Sequence, residues 1–427
     1  MSSPVARESG PRPGLHRHYA WVVVALTFVA ILVGAGVRYS PGVLIRPLEE
    51  EFGWDRASIS LAVSIGIFIF GLTGPLSGAL LDRIGPRRVM ILGLCLTAVG
   101  VSPLLLMREL WQFYLLWGLL TGLGTGALSG PLGAVVVARW FKTHRGLVIG
   151  IFSGAVSAGQ LVFIPSLLGL TASSGWRSAI VLLAVAPVAL LLPIALFMRN
   201  HPSDKGLRPV GDDGAESAEA QGVGGAQRTR MREVIRGRDF WLLAGSLFIC
   251  GYTTTGLITT HLIPYSLEHG FDEATTAGAM GLMGAMNLVG PLLSGSLTDR
   301  YDNRRLLATI YGLRALSLAT LPFILNAPQL LIFAVVYGLD WIATAPPTAN
   351  LTVTIYGRGA LGTVYGWIFF AHMLGASIAA FAGGVLHGVL GSYNVVFISA
   401  ALMGFIAVVF SLSIRVPARR PANAVNG

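Results

Sequence analysis

The stretch Gly78-Ala79-Leu80-Leu81-Asp82-Arg83-Ile84-Gly85-Pro86-Arg87-Arg88 decides the fold, because the chain carries it twice. Its echo is Gly295-Ser296-Leu297-Thr298-Asp299-Arg300-Tyr301-Asp302-Asn303-Arg304-Arg305. Each copy is a short charged turn between two apolar runs. A second echo falls at nearly the same offset, with Gly146, Gly150 and Gly159 matching Gly362, Gly366 and Gly375. Two echoes at one spacing indicate an internal duplication.

Outward from these turns the chain is apolar. Of its 427 residues 54% are hydrophobic and 12% charged, about half the charge of ordinary globular proteins. Soluble enzymes, disordered tails and disulfide scaffolds are thereby excluded. A membrane span needs about 20 mostly apolar residues. Twelve are expected, at roughly 20–47, 58–81, 89–107, 110–137, 147–170, 177–198, 240–266, 273–298, 306–325, 329–354, 361–386 and 393–414. The expected fold class is an all-α membrane protein with twelve transmembrane helices. The first run is too long for a signal-peptide core and is expected to stay. The segment 199–239 holds Pro202, Pro209, a Gly/Ala/Ser-rich acidic stretch from Gly211 to Gly225, and Arg228-Thr229-Arg230-Met231-Arg232. It is expected to be a flexible cytoplasmic linker between a six-helix bundle at 1–198 and another at 240–427. Its arginine patch either touches anionic lipid headgroups or is simply solvated.

The net charge is +10, and of the 30 basic residues only Lys142 and Lys205 are lysines. They sit in short tracts between apolar runs, which argues for topology-setting loops and against nucleic-acid binding. One side collects Arg7, Arg12, Arg17, Arg83, Arg87, Arg88, Arg139, Lys142, Arg145, Arg300, Arg304, Arg305, Arg358, Arg415, Arg419 and Arg420. The other holds Arg46, Arg56, Arg108 and Arg177 beside Glu49-Glu50-Glu51 and Asp272-Glu273. Both termini are therefore expected in the cytoplasm, and the chain in the cell inner (plasma) membrane. Cys95 and Cys250 lie inside apolar runs and are expected to be inert packing residues. No catalytic constellation, metal-ligand spacing or phosphate-cradling loop stands out, so no enzyme activity, metal or cofactor is expected.

At the doubled turn the chain resembles the major facilitator superfamily, whose signature Gly-x-Leu-x-Asp-Arg-x-Gly-x-Arg-Arg falls between spans two and three. The resemblance implies two six-helix bundles that give alternating access. It also implies a conformational latch in which Asp82 faces the start of span eleven and Asp299 the start of span five. Arg83, Arg87, Arg88 and Arg300 belong to the same loops. Asp302 and Asn303 depart from the signature and weaken the second latch. A narrower likeness, to monocarboxylate transporters and oxalate/formate antiporters, rests on Arg139-Trp140-Phe141-Lys142-Thr143-His144-Arg145-Gly146 and on Pro47-Leu48-Glu49-Glu50-Glu51-Phe52-Gly53-Trp54-Asp55-Arg56. Those families' anion clamp does not carry over. Gly290 stands where an arginine would precede Pro291, and His372 where a lysine would stand in span eleven.

Ionisable residues in mid-membrane are costly and become functional candidates by default. Arg38 in span one is a replacement anion clamp or an arginine that snorkels to the outer interface, some nine residues away. Tyr39, Tyr252 and Tyr365 offer hydroxyls, while Asn287, Gln160 and Asn350 offer amides. His372 is a substrate-binding and proton-coupling candidate because an ordinary histidine titrates near pH 6.5. Its alternative is a neutral histidine bonded to a helix carbonyl. Asp340 is a proton site or a structural partner of Arg314. The leading expectation is a proton-coupled carrier, by symport, of a small organic anion such as a monocarboxylate. Its partners are that anion, protons and membrane lipid, and it works as a monomer. An exporter of hydrophobic or cationic compounds is the alternative. A non-transporting sensor on the same fold is a third class.

Overall fold

The computed structural model describes residues 13–211, 231–298, 300–357 and 361–416. Among the described residues, twelve helices are long and apolar enough to cross a membrane. In chain order they are span 1 (Tyr19–Tyr39), span 2 (Arg56–Gly74), span 3 (Arg83–Leu106), span 4 (Leu110–Trp140), span 5 (Leu147–Ser174) and span 6 (Trp176–Phe197). Then follow span 7 (Arg238–Glu268), span 8 (Glu273–Thr298), span 9 (Asn303–Phe323), span 10 (Ala327–Tyr356), span 11 (Val364–Leu390) and span 12 (Asn394–Ser413). Lipid leaves no partner for backbone N–H and C=O groups, so the chain satisfies them within helices. The side holding residues 198–211 is called the linker side below, and the opposite one the far side.

Proline and glycine decide where these helices bend. Pro41 has no N–H to give to the carbonyl of Val37, and span 1 breaks there. The Ser40 hydroxyl takes over that carbonyl at 2.8 Å. The helix then resumes over Pro41–Phe52 and carries span 1 on to the far side. Gly42 lets this second piece lie against span 7, where an added methyl would sit 2.9 Å from the Thr259 carbonyl oxygen. Span 10 breaks after Asp340, just ahead of Pro346 and Pro347, and resumes at Ala345. Spans 4 and 7 carry π-helical turns at Tyr114–Thr121 and Tyr252–Ile258, a distortion common at functional sites.

The signature turn at 78–88 works inside its own half. Gly85 has φ +80° and ψ 162°, and a side chain there would strike Asn200. Arg87 donates its backbone N–H to Asn200 Oδ1 at 3.0 Å and Nη2 to the Ala195 carbonyl, at the end of span 6. In the echo, Arg304 donates to the Ile414 carbonyl at the end of span 12. The duplication is thus one stitch used twice. Asp302 needs no left-handed backbone. It caps span 9 and grips Arg304 at 2.7 Å, a pairing that holds its carboxyl below the ordinary range.

The expected linker is narrower than 199–239. Residues 199–211 fold back on the end of span 4, where Val210 N–H donates to the Trp140 carbonyl and Lys142 N–H to Val210, each at 2.9 Å. Met231–Val234 is helical, and the Trp241 indole donates to the Ile235 carbonyl. Residues 212–230, including Arg228 and Arg230, lie outside the described residues.

The two sets of six spans meet at two seams, span 2 on span 11 and span 5 on span 8. On the far side these seams are sealed. Ser64 and Ser377 bond at 2.9 Å, and Gly384 packs on Ser60. At mid-depth Phe68 meets Phe370, and Gly71 meets Met373. Toward the linker side several glycines of these spans stand in open space. A methyl added at Gly74, Gly78, Gly150, Gly295 or Gly366 would meet nothing within 4 Å.

Within the second set, spans 7 and 11 cross backbone to backbone. A methyl at Gly251, Gly256 or Gly375 would fall on the carbonyl oxygen of His372, Ala376 or Phe248 respectively. Gly251→Ala is expected to force this crossing apart and destabilise the protein by about 1–3 kcal/mol. Gly74→Ala, which points into open space, is the matched control. Thermal melting in detergent checks the pair, and equal melting points would remove the packing argument.

Candidate functional site

The kink in span 1 determines where Arg38 lies. Because the helix continues over Pro41–Phe52, Arg38 stands about fourteen residues, or roughly 21 Å, from its far end. That depth argues against snorkelling to the far interface. Phe70, Gln160, Asn287 and Trp341 lie about as many residues from the far ends of spans 2, 5, 8 and 10. These side chains therefore share one level. It is the level at which the seams begin to part, and so the apex of the cleft that opens on the linker side.

Arg38 is half-buried at this apex. Its Nη2 donates to the Tyr39 hydroxyl at 2.5 Å, and its Cζ lies 4.4 Å from the Tyr39 ring centre and 4.6 Å from that of Phe70. Tyr39 in turn meets Trp341 edge-on at 6.4 Å, which links the two sets of spans. Among the described residues Arg38 has no carboxylate partner. A guanidinium held by aromatic faces keeps most of its five donors for another acceptor.

His372 sits lower on span 11, half-buried, opposite the π-helical turn of span 7. Its Nε2 lies 3.4 Å from the Thr255 hydroxyl, and its ring stacks on Phe369 at 5.7 Å. Tyr365 is half-buried seven residues earlier, on the same helix face. Tyr252 is buried at the start of the π-helical turn.

Behind this wall Arg314 is sealed at 0% exposure. Its Nε donates to Asp340 Oδ2 at 2.6 Å, and its Nη2 to the Asp340 and Trp341 carbonyls at 2.8 and 3.2 Å. These carbonyls need a donor because span 10 breaks here. Ser294 serves the Ala343 carbonyl in the same way, at 2.5 Å. Nη1 reaches the Cys250 sulfur at 2.9 Å, and Thr344 Oγ1 lies 3.3 Å from the same sulfur. Cys250 is therefore part of a polar cluster and not inert packing. Asp340 Oδ1 has no partner.

Gln160 and Asn287 face the seam between spans 5 and 8, Gln160 lying against Gly284. They are 0% and 1% exposed, and both atoms of each amide lack a hydrogen-bond partner. Asn350 is half-buried on the linker side of the span 10 break. Of the latch residues, Arg83, Arg88 and Arg300 are exposed. Arg87 is committed to span 6. The side chains of Asp82 and Asp299 lie outside the described residues.

The far-side seal is a network that the sequence reading missed. Arg56 is held by Glu49 from the resumed span 1 helix and by Glu268 from the end of span 7. Arg46, Glu50, Glu51, Trp176 and Glu273 line a depression of about 440 Å³ nearby. There the Arg177 guanidinium, followed by the Trp176 indole, holds the Glu51 carboxyl below its ordinary range. This mouth carries more acid than base and does not suit an anion.

Twelve spans in two alike sets, sealed on one side and parted on the other around a polar apex, define a multi-pass membrane transporter. The chain belongs to the Major Facilitator Superfamily, whose family model matches residues 26–380. It is 28% identical over 406 residues to the uncharacterized MFS-type transporter YcxA of Bacillus subtilis, covering 91% of this chain and 94% of that one. It is 27% identical over 385 residues to monocarboxylate transporter 13 of Rattus norvegicus, covering 90% and 86%. A bacterial homolog of the human lysosomal transporter Spinster, solved inward-facing and unoccupied, superposes with a TM-score of 0.67 at 17% identity. That match covers 94% of this chain and 96% of the other.

Proposed function

We propose that the protein is a proton-coupled secondary carrier of a small organic anion of the monocarboxylate class. The observation that carries this reading is Arg38, a guanidinium at the apex of the cleft with no carboxylate partner among the described residues. Its planar fork suits a carboxylate. Likeness to monocarboxylate transporters supports the same class. A cationic cargo is less well served, because Asp340 is already engaged by Arg314. Tyr39, Tyr365 and Asn287 supply further hydrogen-bonding groups around the anion, and His372 both binds it and carries the proton. His372 borders the cleft, whereas Asp340 sits behind Trp341 as the counter-ion of Arg314. The bundles 1–198 and 240–427 rock about the apex, with Asp82 and Asp299 latching the opposite state. The linker side faces the cytoplasm and the membrane is the plasma membrane, as the arginine-rich loops argue.

Proteoliposomes with an imposed proton gradient test this reading against a panel of labelled monocarboxylates. The wild-type chain is expected to accumulate at least one of them. His372→Gln keeps polarity but cannot titrate, so gradient-driven accumulation collapses while counterflow persists at weaker affinity. Full accumulation by this variant would remove His372 from the coupling step. No uptake of any acid on the panel would remove the substrate class.

A further inference from the structure

The far-side seal is built from groups that titrate, and their geometry poses a conflict. Arg56 is 8% exposed at the start of span 2. Its Nε and Nη2 face the two oxygens of Glu49, on its own side of the seam. Its Nη1 crosses the seam to three groups: Glu268 Oε1, His387 Nε2 at 3.2 Å and the Tyr393 hydroxyl at 3.2 Å. His387 Nε2 also lies 3.1 Å from Glu268 Oε2.

One ring nitrogen cannot serve both neighbours. Toward Arg56 it must accept, and so be bare. Toward Glu268 it must donate, and so carry a proton. The neighbouring groups fix the tautomer of His261. His261 Nε2 lies 2.8 Å from the Ala380 carbonyl, which only accepts, so Nε2 carries the hydrogen. His261 Nδ1 then accepts from the Tyr393 hydroxyl at 2.9 Å. The Tyr393 oxygen in turn receives Arg56. Of the other charged groups near this end, Glu273 lines the depression, and Asp55 and Asp272 accept the Ser58 and Thr275 N–H groups. Glu50 pairs with Arg46, Glu51 with Arg177, and His269 Nδ1 bonds the Tyr265 carbonyl.

We propose that His387 and Glu268 form a proton-binding site that unlocks the far side. A proton on His387 Nε2 turns the imidazole into a donor to Glu268 and sets a second cation against Arg56. Glu268 is drawn to His387, and the Arg56–Glu268 tie across the seam loosens. The direction follows from the charges: acid on the far side favours opening there. This inference rests on the reading that the two sets of spans rock. It does not depend on which solute is carried. It also places a proton site far from His372, at the face a proton reaches first when the far side is outside the cell.

Spin labels across the seam, introduced by Ala172→Cys and Ala274→Cys with Cys95→Ser in the full chain, report the far-side distance without any substrate. Between about pH 8 and about pH 5.5 the long-distance population is expected to rise by about fivefold or more. In His387→Gln, which cannot be charged, the rise should vanish. Glu268→Gln should already hold the long-distance population at about pH 8, independently of His387. An unchanged distribution in the wild-type chain, or an equal rise in His387→Gln, would overturn the proposal. Because no solute is present, failure of the anion reading leaves this result intact, and the reverse also holds.

Discussion

Arg314→Leu is expected to leave little folded protein. The guanidinium neutralises Asp340, serves two carbonyls freed by the break in span 10 and touches Cys250. Its loss strands a carboxylate in a sealed site, at a cost of about 3–5 kcal/mol. The Trp341 carbonyl loses the guanidinium as well, at about 1–3 kcal/mol if left unsatisfied, while the Asp340 carbonyl keeps the Ala343 N–H at 3.2 Å. Yield of monodisperse protein in detergent and its melting point give the readout. The double variant Arg314→Leu with Asp340→Leu removes the stranded charge and should recover part of that loss. Recovery is incomplete because the guanidinium's bond to the Trp341 carbonyl is not replaced. A single variant as stable as the wild type would show that the cluster is not needed for folding.

Arg38→Gln is expected to fold normally and to bind the anion poorly. Its neighbours are the faces of Tyr39 and Phe70, so its removal leaves no charge unpaired. What it takes away is a hydrogen bond to a charged ligand. That is worth about 1.5–3 kcal/mol, or about 10–100-fold in affinity. Arg38→Lys keeps the charge but loses the fork and should recover only part of the affinity. Ligand-induced thermal shifts and uptake in proteoliposomes measure both variants. Unchanged affinity in Arg38→Gln would remove the observation on which the anion reading stands.

The twelve spans were legible in the sequence because lipid demands long apolar runs, and the duplication because both signature turns kept their charges. The Arg314–Asp340 pairing was legible for a similar reason, since two charges inside a bundle have few ways to be satisfied except by each other. The depth of Arg38 was not. The span was expected to end near 47, ahead of the charged run Glu49-Glu50-Glu51, whereas the helix breaks at Ser40, resumes and runs to Phe52. The Arg56 network was hidden for a different reason. Its members come from five separate segments, and only the fold brings them to one point. Cys250 looked inert because an apolar run gives no sign of a guanidinium arriving from span 9. The return of residues 199–211 onto span 4 depends on one backbone exchange with Val210, and a Gly/Pro-containing segment does not announce such an exchange.

The bare amides of Gln160 and Asn287 bear on the balance between the two shapes of a carrier. Each is enclosed at the seam of spans 5 and 8 with no partner for oxygen or nitrogen. Four such atoms burden the sealed shape with several kcal/mol, at about 1–3 kcal/mol for each unsatisfied group. A seam lined only with leucine would lack that burden and would hold its shape more firmly. A carrier held too firmly in one shape turns over slowly, because every cycle must leave that shape. Leucine in place of the two amides is therefore expected to hold this conformer more firmly and to slow turnover.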